Sequence, residues 1–530
     1  MPAIGIDLGT TNSCVAVKFD DDIQVLTNTV GEKLTPSYVG FFESEVLIGH
    51  SAKNQSHLHP HNTVFDVKRL IGRPFDDPQL TEDRKNWPFE VIDVNGQPRI
   101  SVEVNNRQKH LTPVEISSYI LKYLKQVAES HFQEAITDAV ITVPAYFNQS
   151  QRQATIDAGR IAGLNVLEVI NEPTAAGITY VTQEGLAGDH KTFLVYDLGG
   201  GTFDVSLMQS DGHEFRVLST DGDTHLGGED FDHRLVSYFV DEIMNEYKVD
   251  VKEDKVVIHR LREASEQAKR TLTCSISANI ELDCLFKNQS FKATINRAVF
   301  EKINSDLFQT TIKVIEKALQ AAGKTKQDVD EVLLVGGSTR VPVIAEIIKK
   351  FFVDKPIRRT VNPDECVAVG AAIRAYDLVA CGSDVVPVAC VKDIIPLPLG
   401  IEIISGMMKV MVPKNSVIPF AHTEEFATSK DNQTAVRITI FEGEGKMVNE
   451  NRKLGNFVLT DLTPAPKGVM RITVTFDIDQ SGVLHVSAKE TSKGMENSIR
   501  IHHDMQRLTD AQIEELIQNT SSLVFTDLQQ

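Results

Sequence analysis

Ile4-Gly-Ile-Asp7-Leu-Gly9-Thr10-Thr11 carries the first chemical signal of the chain. A degenerate copy, Leu194-Val-Tyr-Asp197-Leu-Gly199-Gly200-Gly201-Thr202-Phe-Asp204, returns far downstream. Each copy is a short apolar strand running into an aspartate, then a glycine turn, then threonine. An aspartate at a strand end is placed to hold a hydrated divalent cation. The glycines let backbone N–H groups approach phosphate oxygens, and the threonine hydroxyls add donors. Two such turns facing each other clamp a polyphosphate from both sides. A third glycine turn, Leu333-Leu-Val-Gly336-Gly337-Ser338-Thr339-Arg340, follows another apolar strand. A single copy could be a plain strand–turn, but the repetition makes that reading poor. No G-x-x-x-x-G-K-[ST] run is present, and no G-x-G-x-x-G follows the first strand, so neither a Walker-type nor a dinucleotide site is expected.

Outward from these turns the chain divides into two textures near residue 380. Before it, apolar β-type runs alternate with amphipathic helical patterns, the α/β signature. The spacing predicts a helix over Thr112–His131. Thr112 and Glu115 stand at capping-box spacing, Pro113 sits at the first helical position, and Ile116, Ile120, Leu124 and Val127 form one stripe. A second helix buries Val257, Leu261, Ala264 and Ala268, with Glu266, Lys269 and Arg270 off that stripe. After about Asp393 the period falls to two: Val436, Ile438 and Ile440, then Ile472, Val474, Phe476 and Ile478, alternate with polar residues. That predicts an antiparallel sheet or sandwich. Residues 381–393 between the textures read as a linker. The chain ends in one short helix, Thr509 and Gln512 standing at capping-box spacing, before a polar break at Asn519–Ser522.

The length of 530 residues carries a prior of roughly two to four domains. With 54 Lys and Arg against 73 Asp and Glu, the formal charge of −19 makes nucleic acid and anionic membranes poor partners. No run of 18 apolar residues appears, so no bilayer span is expected. The start lacks a basic stretch followed by an apolar one, so a cleaved secretion signal is not expected. Six cysteines without a C-x-x-C pair fit reduced thiols in a cytosolic protein.

With Val143-Pro-Ala-Tyr-Phe-Asn148, Asn171-Glu172-Pro-Thr-Ala-Ala176, His225-Leu-Gly-Gly-Glu-Asp-Phe-Asp232 and Val474-Thr-Phe-Asp-Ile-Asp479, the repeated turns resemble the 70-kilodalton heat-shock chaperone family over about residues 2–519. Trp87-Pro-Phe89 is similar to the eukaryotic cytosolic branch. The resemblance implies an actin-like ATPase over 1–380, of two lobes built on duplicated ribonuclease-H-like units. A linker over 381–393, an antiparallel β-sandwich that binds peptide over 394–505 and a residual, truncated helical lid over 506–530 would follow. It implies ATP, Mg²⁺ and K⁺ as ligands and a cytoplasmic location, with the nucleus as a second.

Carried over by the resemblance, Asp7, Asp197 and Asp204 would hold the metal ions. Lys68 would position and polarise the attacking water, Glu172 would orient it or act as base, and Thr10, Thr11 and Thr202 would contact the β- and γ-phosphates. Gly9, Asn12, Gly199, Gly200 and Gly201 complete the phosphate turns. Glu266, Lys269, Arg270, Thr273, Gly337, Ser338, Arg340 and Asp364 would surround the adenosine. Glu266 and Arg270 alone would be a solvated i,i+4 ion pair; the family context reverses that. Ile401, Ile404, Phe426, Ser429, Val436 and Ile438 map to a peptide groove, whereas periodicity by itself says only that a face is buried. An extended peptide there would bond a sheet edge and fill one apolar pocket.

Three departures bear on regulation. The aligned linker Val388-Ala-Cys-Val-Lys392-Asp393 is shorter in apolar side chain and interrupted by Lys392, which implies weaker coupling between domains, although Pro144, Arg152 and Asp393 match the family's relay. Glu168 stands where the family has arginine, on a surface that receives J-domain co-chaperones, so repulsion of an acidic helix and weakened stimulation are expected. The chain is also expected to stop one helix past the sandwich, with apolar Leu523-Val-Phe525 read first as an unremarkable frayed end and only second as an exposed tail able to enter a groove. Unfolded hydrophobic polypeptides and a nucleotide-exchange factor complete the expected partners. The leading expectation is an ATP-hydrolysing chaperone; the alternative is a poorly coupled nucleotide-binding holdase or regulator. Sugar kinases share the clamp but give no reason for a sandwich.

Overall fold

The computed structural model describes residues 2–19, 22–42, 45–183, 190–211, 214–287, 289–359, 362–380, 390–490, 496–500 and 508–521. The duplication legible in the two glycine turns extends to whole lobes. In the first, Ile4–Asp7 pairs antiparallel with Asn12–Phe19 and parallel with Asp138–Val143, which pairs in turn with Asn165–Asn171. In the second, His190–Leu198 pairs antiparallel with Phe203–Asp211 and parallel with Glu331–Val335, which is flanked by Ile357–Arg358. The same order of antiparallel hairpin and parallel crossover occurs twice. Each strand that ends in a site aspartate is therefore central in its sheet, with neighbours on both sides.

The helix expected from Thr112 spans Pro113–Phe132, and its capping box is formed: Glu115 N–H donates to Thr112 Oγ1 at 2.9 Å and Thr112 N–H to Glu115 Oε2 at 2.6 Å. A 20-residue helix, Lys255–Cys274, buries Val257, Leu261 and Ala268 in the second lobe. A separate apolar cluster joins the lobes, built around the Glu172–Gln183 and Cys366–Ala380 helices. These two helices cross at Gly370, where an added Cβ would lie 1.8 Å from the Ala175 carbonyl oxygen. Only glycine permits that approach.

Two four-stranded antiparallel sheets follow, and their inner faces form one core of Leu399, Ile440, Leu454, Phe476, Val486 and their neighbours. The sandwich is docked on the first lobe. Gln149 Nε2 donates to the Gly482 carbonyl at 2.7 Å, Leu484 N–H donates back to Gln149 Oε1 at 2.9 Å, and Arg452 Nη2 reaches the Gly72 carbonyl at 2.7 Å.

Two expectations are corrected by this arrangement. Of the linker, Cys390–Lys392 is a strand that extends the second lobe's sheet, parallel to Glu214–Arg216. Lys392, expected to interrupt docking, pairs with Glu214 at 2.8 Å. The remainder, 381–389, lies outside the described residues. The last helix is Asp510–Ser521, so Asn519–Ser521 continues it and does not break it. Its capping contacts at Thr509 and Gln512 are formed. Ile513 packs into the core of the first ATPase lobe, with Leu508, Leu516 and Ile517 against it. Arg160 pairs with Asp510 at 3.0 Å. Of the segment expected as a residual lid, 506–530, the described residues 508–521 thus lie on the ATPase lobe. Leu523-Val-Phe525 is outside the described residues.

Candidate functional site

Between the lobes lies a cavity of about 360 Å³, lined from both glycine turns and the Glu266–Thr273 stretch. It brings together Asp7, Gly9, Thr10, Thr11, Asn12, Lys68, Glu172, Asp197, Gly199, Gly200 and Thr202. Glu266, Lys269, Arg270, Thr273, Gly337, Ser338, Arg340 and Asp364 complete the opposite wall. The two turns face each other closely: a Cβ on Gly200 would lie 2.0 Å from Thr11 Oγ1. Of the nucleotide-site residues expected from sequence, Gly201 and Asp204 stand behind this wall. The Gly201 carbonyl accepts from Arg69 Nη2 at 3.4 Å, and Asp204 Oδ1 accepts from the Tyr146 N–H at 3.2 Å.

The centre of the cavity is overloaded with acid. Asp7, Glu172, Asp197 and Asp204 are drawn together around the Lys68 ammonium, which is hydrogen-bonded to Glu172. Burial, then the charge of Glu172, pushes Asp7 up to about 7 and Asp204 to about 8, and holds Asp197 well above the usual carboxylate range. Asp197 Oδ2 is buried without a hydrogen-bond partner. Such an imbalance is what a bound cation relieves. Among the described residues no group of three or more acidic, histidine or cysteine side chains closes on a common metal position.

On the opposite wall, Glu266 accepts from Arg270 Nη2 at 2.7 Å and from Lys53 Nζ at 3.0 Å. Burial alone would raise its carboxyl, but Lys53, Arg270 and Lys269 together bring it to about 2. The pair expected on one helix is thus a three-membered group reaching across the cleft. Lys53 had no motif of its own in the sequence. Lys269 is fixed by Asp232 at 2.5 Å and the Gly228 carbonyl at 2.8 Å; Ser338 Oγ donates to the Gly199 carbonyl at 2.7 Å; Arg340 pairs with Asp364 at 2.6 Å. Glu229 was also missed: it lines the cavity and accepts from Thr11 Oγ1 at 2.9 Å. Its place inside the quoted His225–Asp232 motif was the available signal.

The proposed groove residues are dispersed by burial. Ile401 and Ile438 belong to the sandwich core, Phe426 and Val436 are half-buried against it, and Ile404 and Ser429 are exposed. Ile404 is 72% exposed, and Met407, opposite its neighbour Ile403 in the hairpin, is exposed as well. Glu168 differs from expectation. Arg374 Nε and Nη2 both donate to its Oε2, at 3.0 and 2.7 Å, and it is only 6% exposed. It is a buried, paired acid, so the free acidic face expected to repel a J-domain is absent.

The family description "Hsp70 protein" matches residues 3–530. Over 517 residues, 97% of this chain and 80% of the relative, the sequence is 48% identical to "Heat shock 70 kDa protein" of Neurospora crassa. It is 45% identical over 533 residues, 85% of the relative, to "Heat shock cognate 70 kDa protein 3" of Dictyostelium discoideum. With the duplicated lobes, the facing glycine turns and the docked sandwich already described, these matches establish that the chain belongs to the Hsp70 family.

Proposed function

We propose that this Hsp70-family chaperone hydrolyses ATP to ADP and phosphate in the inter-lobe cavity and uses the cycle to bind and release extended hydrophobic segments of unfolded polypeptides. The observation that carries the reading is the pairing of Lys68 with Glu172 beside Asp7 and Asp197, in a cavity walled on both sides by glycine–threonine turns. The turns, with Thr10, Thr11 and Thr202, receive the β- and γ-phosphates. Glu266, Lys269, Arg270, Thr273, Ser338 and Arg340 receive the adenosine. Phosphoryl transfer to water asks for positioning and charge neutralisation more than covalent chemistry. Lys68 orients the water and withdraws electron density from it, and Glu172 accepts its proton or aligns it. Mg²⁺, with K⁺ as a further ion, would be held near Asp7, Asp197 and Asp204, and supplies charge neutralisation to the phosphates.

The docked Cys390–Lys392 strand and the Lys392–Glu214 pair favour coupled domains over a poorly coupled holdase. J-domain co-chaperones and a nucleotide-exchange factor are proposed as partners on family grounds, with no penalty assigned to Glu168. A cytoplasmic site of action, with the nucleus as a second, is likewise proposed from the resemblance to the cytosolic branch, and cell fractionation tests it. The decisive measurement is steady-state ATP turnover with and without an unfolded peptide. Peptide-stimulated turnover that falls by roughly two orders of magnitude or more in Lys68→Ala is expected, the scale of losing one preorganised electrostatic group. Turnover that ignores peptide, or that survives the substitution, overturns the reading.

A further inference from the structure

The two glycine turns belong to different lobes, so a clamp made of them needs something that fixes their spacing. Glu229, in the first turn of the Gly228–Tyr247 helix, touches both. Its backbone N–H donates to the Gly200 carbonyl at 2.8 Å, beside the bond from Gly228 N–H to the Gly199 carbonyl at 3.0 Å. Its side chain accepts from Thr11 Oγ1 at 2.9 Å, across 218 positions of sequence. The second turn is held by main chain and the first by side chain.

The place held is the seam between the turns. A Cβ on Gly200 would lie 2.0 Å from Thr11 Oγ1, so the hydroxyl fills the space that a side chain there would need. Without an acceptor the threonine is free to take another χ1 rotamer, and its hydroxyl leaves the seam. Glu229 is itself fixed: it is 3% exposed, and its Oε2 faces Arg262 Nη2 at 3.5 Å and Arg69 Nε at 3.8 Å. Those distances are too long for good hydrogen bonds. Both arginines have closer acids, Arg262 meeting Asp66 at 2.7 Å and Arg69 meeting Asp230 at 2.7 Å. The bond from Thr11 is therefore the short contact of the Glu229 side chain. Burial, then the charge of Asp66, holds its carboxyl well above the usual carboxylate range, so an uncharged acceptor can stand in for it.

We propose that Glu229 is a positioning residue for nucleotide phosphates, which sets the gap between the two turns by holding Thr11 and Gly200 together. This role presupposes the nucleotide reading given above. Its signature is selective. Loss of the side-chain bond loosens the grip on phosphate, while adenosine, received by Glu266, Arg270 and Ser338 on the opposite wall, is held as before.

Displacement of a fluorescent ADP analogue from the full chain, with ADP and adenosine as competitors and Mg²⁺ present, tests the role. Glu229→Met keeps the volume and lacks the acceptor. It should bind ADP roughly tenfold more weakly, the scale of a lost hydrogen bond in a buried setting, and adenosine as well as before. Glu229→Gln keeps an acceptor and should stay within about twofold of the unaltered chain. Thr11→Val should weaken ADP binding too, and adding Glu229→Met to it should cost nothing further, because Glu229 acts through Thr11. Adenosine weakened in step with ADP, Glu229→Gln as weak as Glu229→Met, or additive losses in the double variant overturn the proposal. Unchanged ADP affinity in Glu229→Met overturns the positioning role alone. An unaltered chain that binds ADP no better than adenosine overturns the nucleotide reading itself.

Discussion

Glu168 is tolerated in the interior because Arg374 answers it. The carboxylate shares a small cavity with Arg152, Arg374 and Asp393, and burial, only partly offset by Arg374, raises its carboxyl above the ordinary value. Removing one partner of a buried ion pair costs about 3–5 kcal/mol, whereas replacing both is far milder. Arg374→Gln should therefore destabilise the protein by about 3 kcal/mol, and Glu168→Gln in the same chain should restore most of it. The loss should shrink on acidification, since a buried acid with a raised pKa destabilises the folded state only while ionised. Thermal unfolding of the three variants at acid and neutral pH checks this; a double variant no better than the single would refute the pairing. The sequence showed an acid at an unusual position. It could not show the partner, because Arg374 comes from a helix more than 200 positions away.

At the scale of elements, the local signals were dependable where the physics is local. The capping boxes at Thr112 and Thr509, the buried stripe of Lys255–Cys274 and the alternation of Arg471–Ile478 formed as patterned, whereas in Val436–Glu442 the polar Thr439 and Glu442 are buried along with the apolar residues. The linker misled because a three-residue edge strand has no periodicity of its own; its partner strand supplies the reason to extend. Val391 is half-buried against the core shared by the lobes, beside Glu168 and Asp393. Val391→Asp forfeits about 2 kcal/mol of apolar burial and adds a third acid to that cavity. Loss of the peptide-stimulated increment of ATP turnover is the expected result. Undiminished stimulation would show that this strand does not carry the coupling.

For the whole molecule, the nucleotide cavity was largely legible because its residues fall in short motifs at strand ends, where backbone geometry dictates direction. Placement of the last helix was not legible, since an amphipathic helix states that it has an apolar face without naming what covers it. Here Ile513, 1% exposed, is buried in the first lobe. Ile513→Ala should cost that docking about 2–5 kcal/mol. Amide exchange across Asp510–Ser521 should speed up accordingly, while peptide release from the sandwich stays unchanged. Slower exchange, or altered peptide release, would contradict the observed placement.

The crossing at Gly370 acts as a fulcrum. With the Ala175 backbone in direct contact and no side chain to cushion it, the helices beneath the lobes have no room to slide past each other. Rotation about that point is the relative motion of the lobes that such a contact would leave open. A few degrees there become ångströms at the rim, where Lys53 of one lobe meets Glu266 of the other at 3.0 Å. On the proposed function, a bound nucleotide would be held in part by that rim contact, and a partner prying the rim apart would shorten its stay.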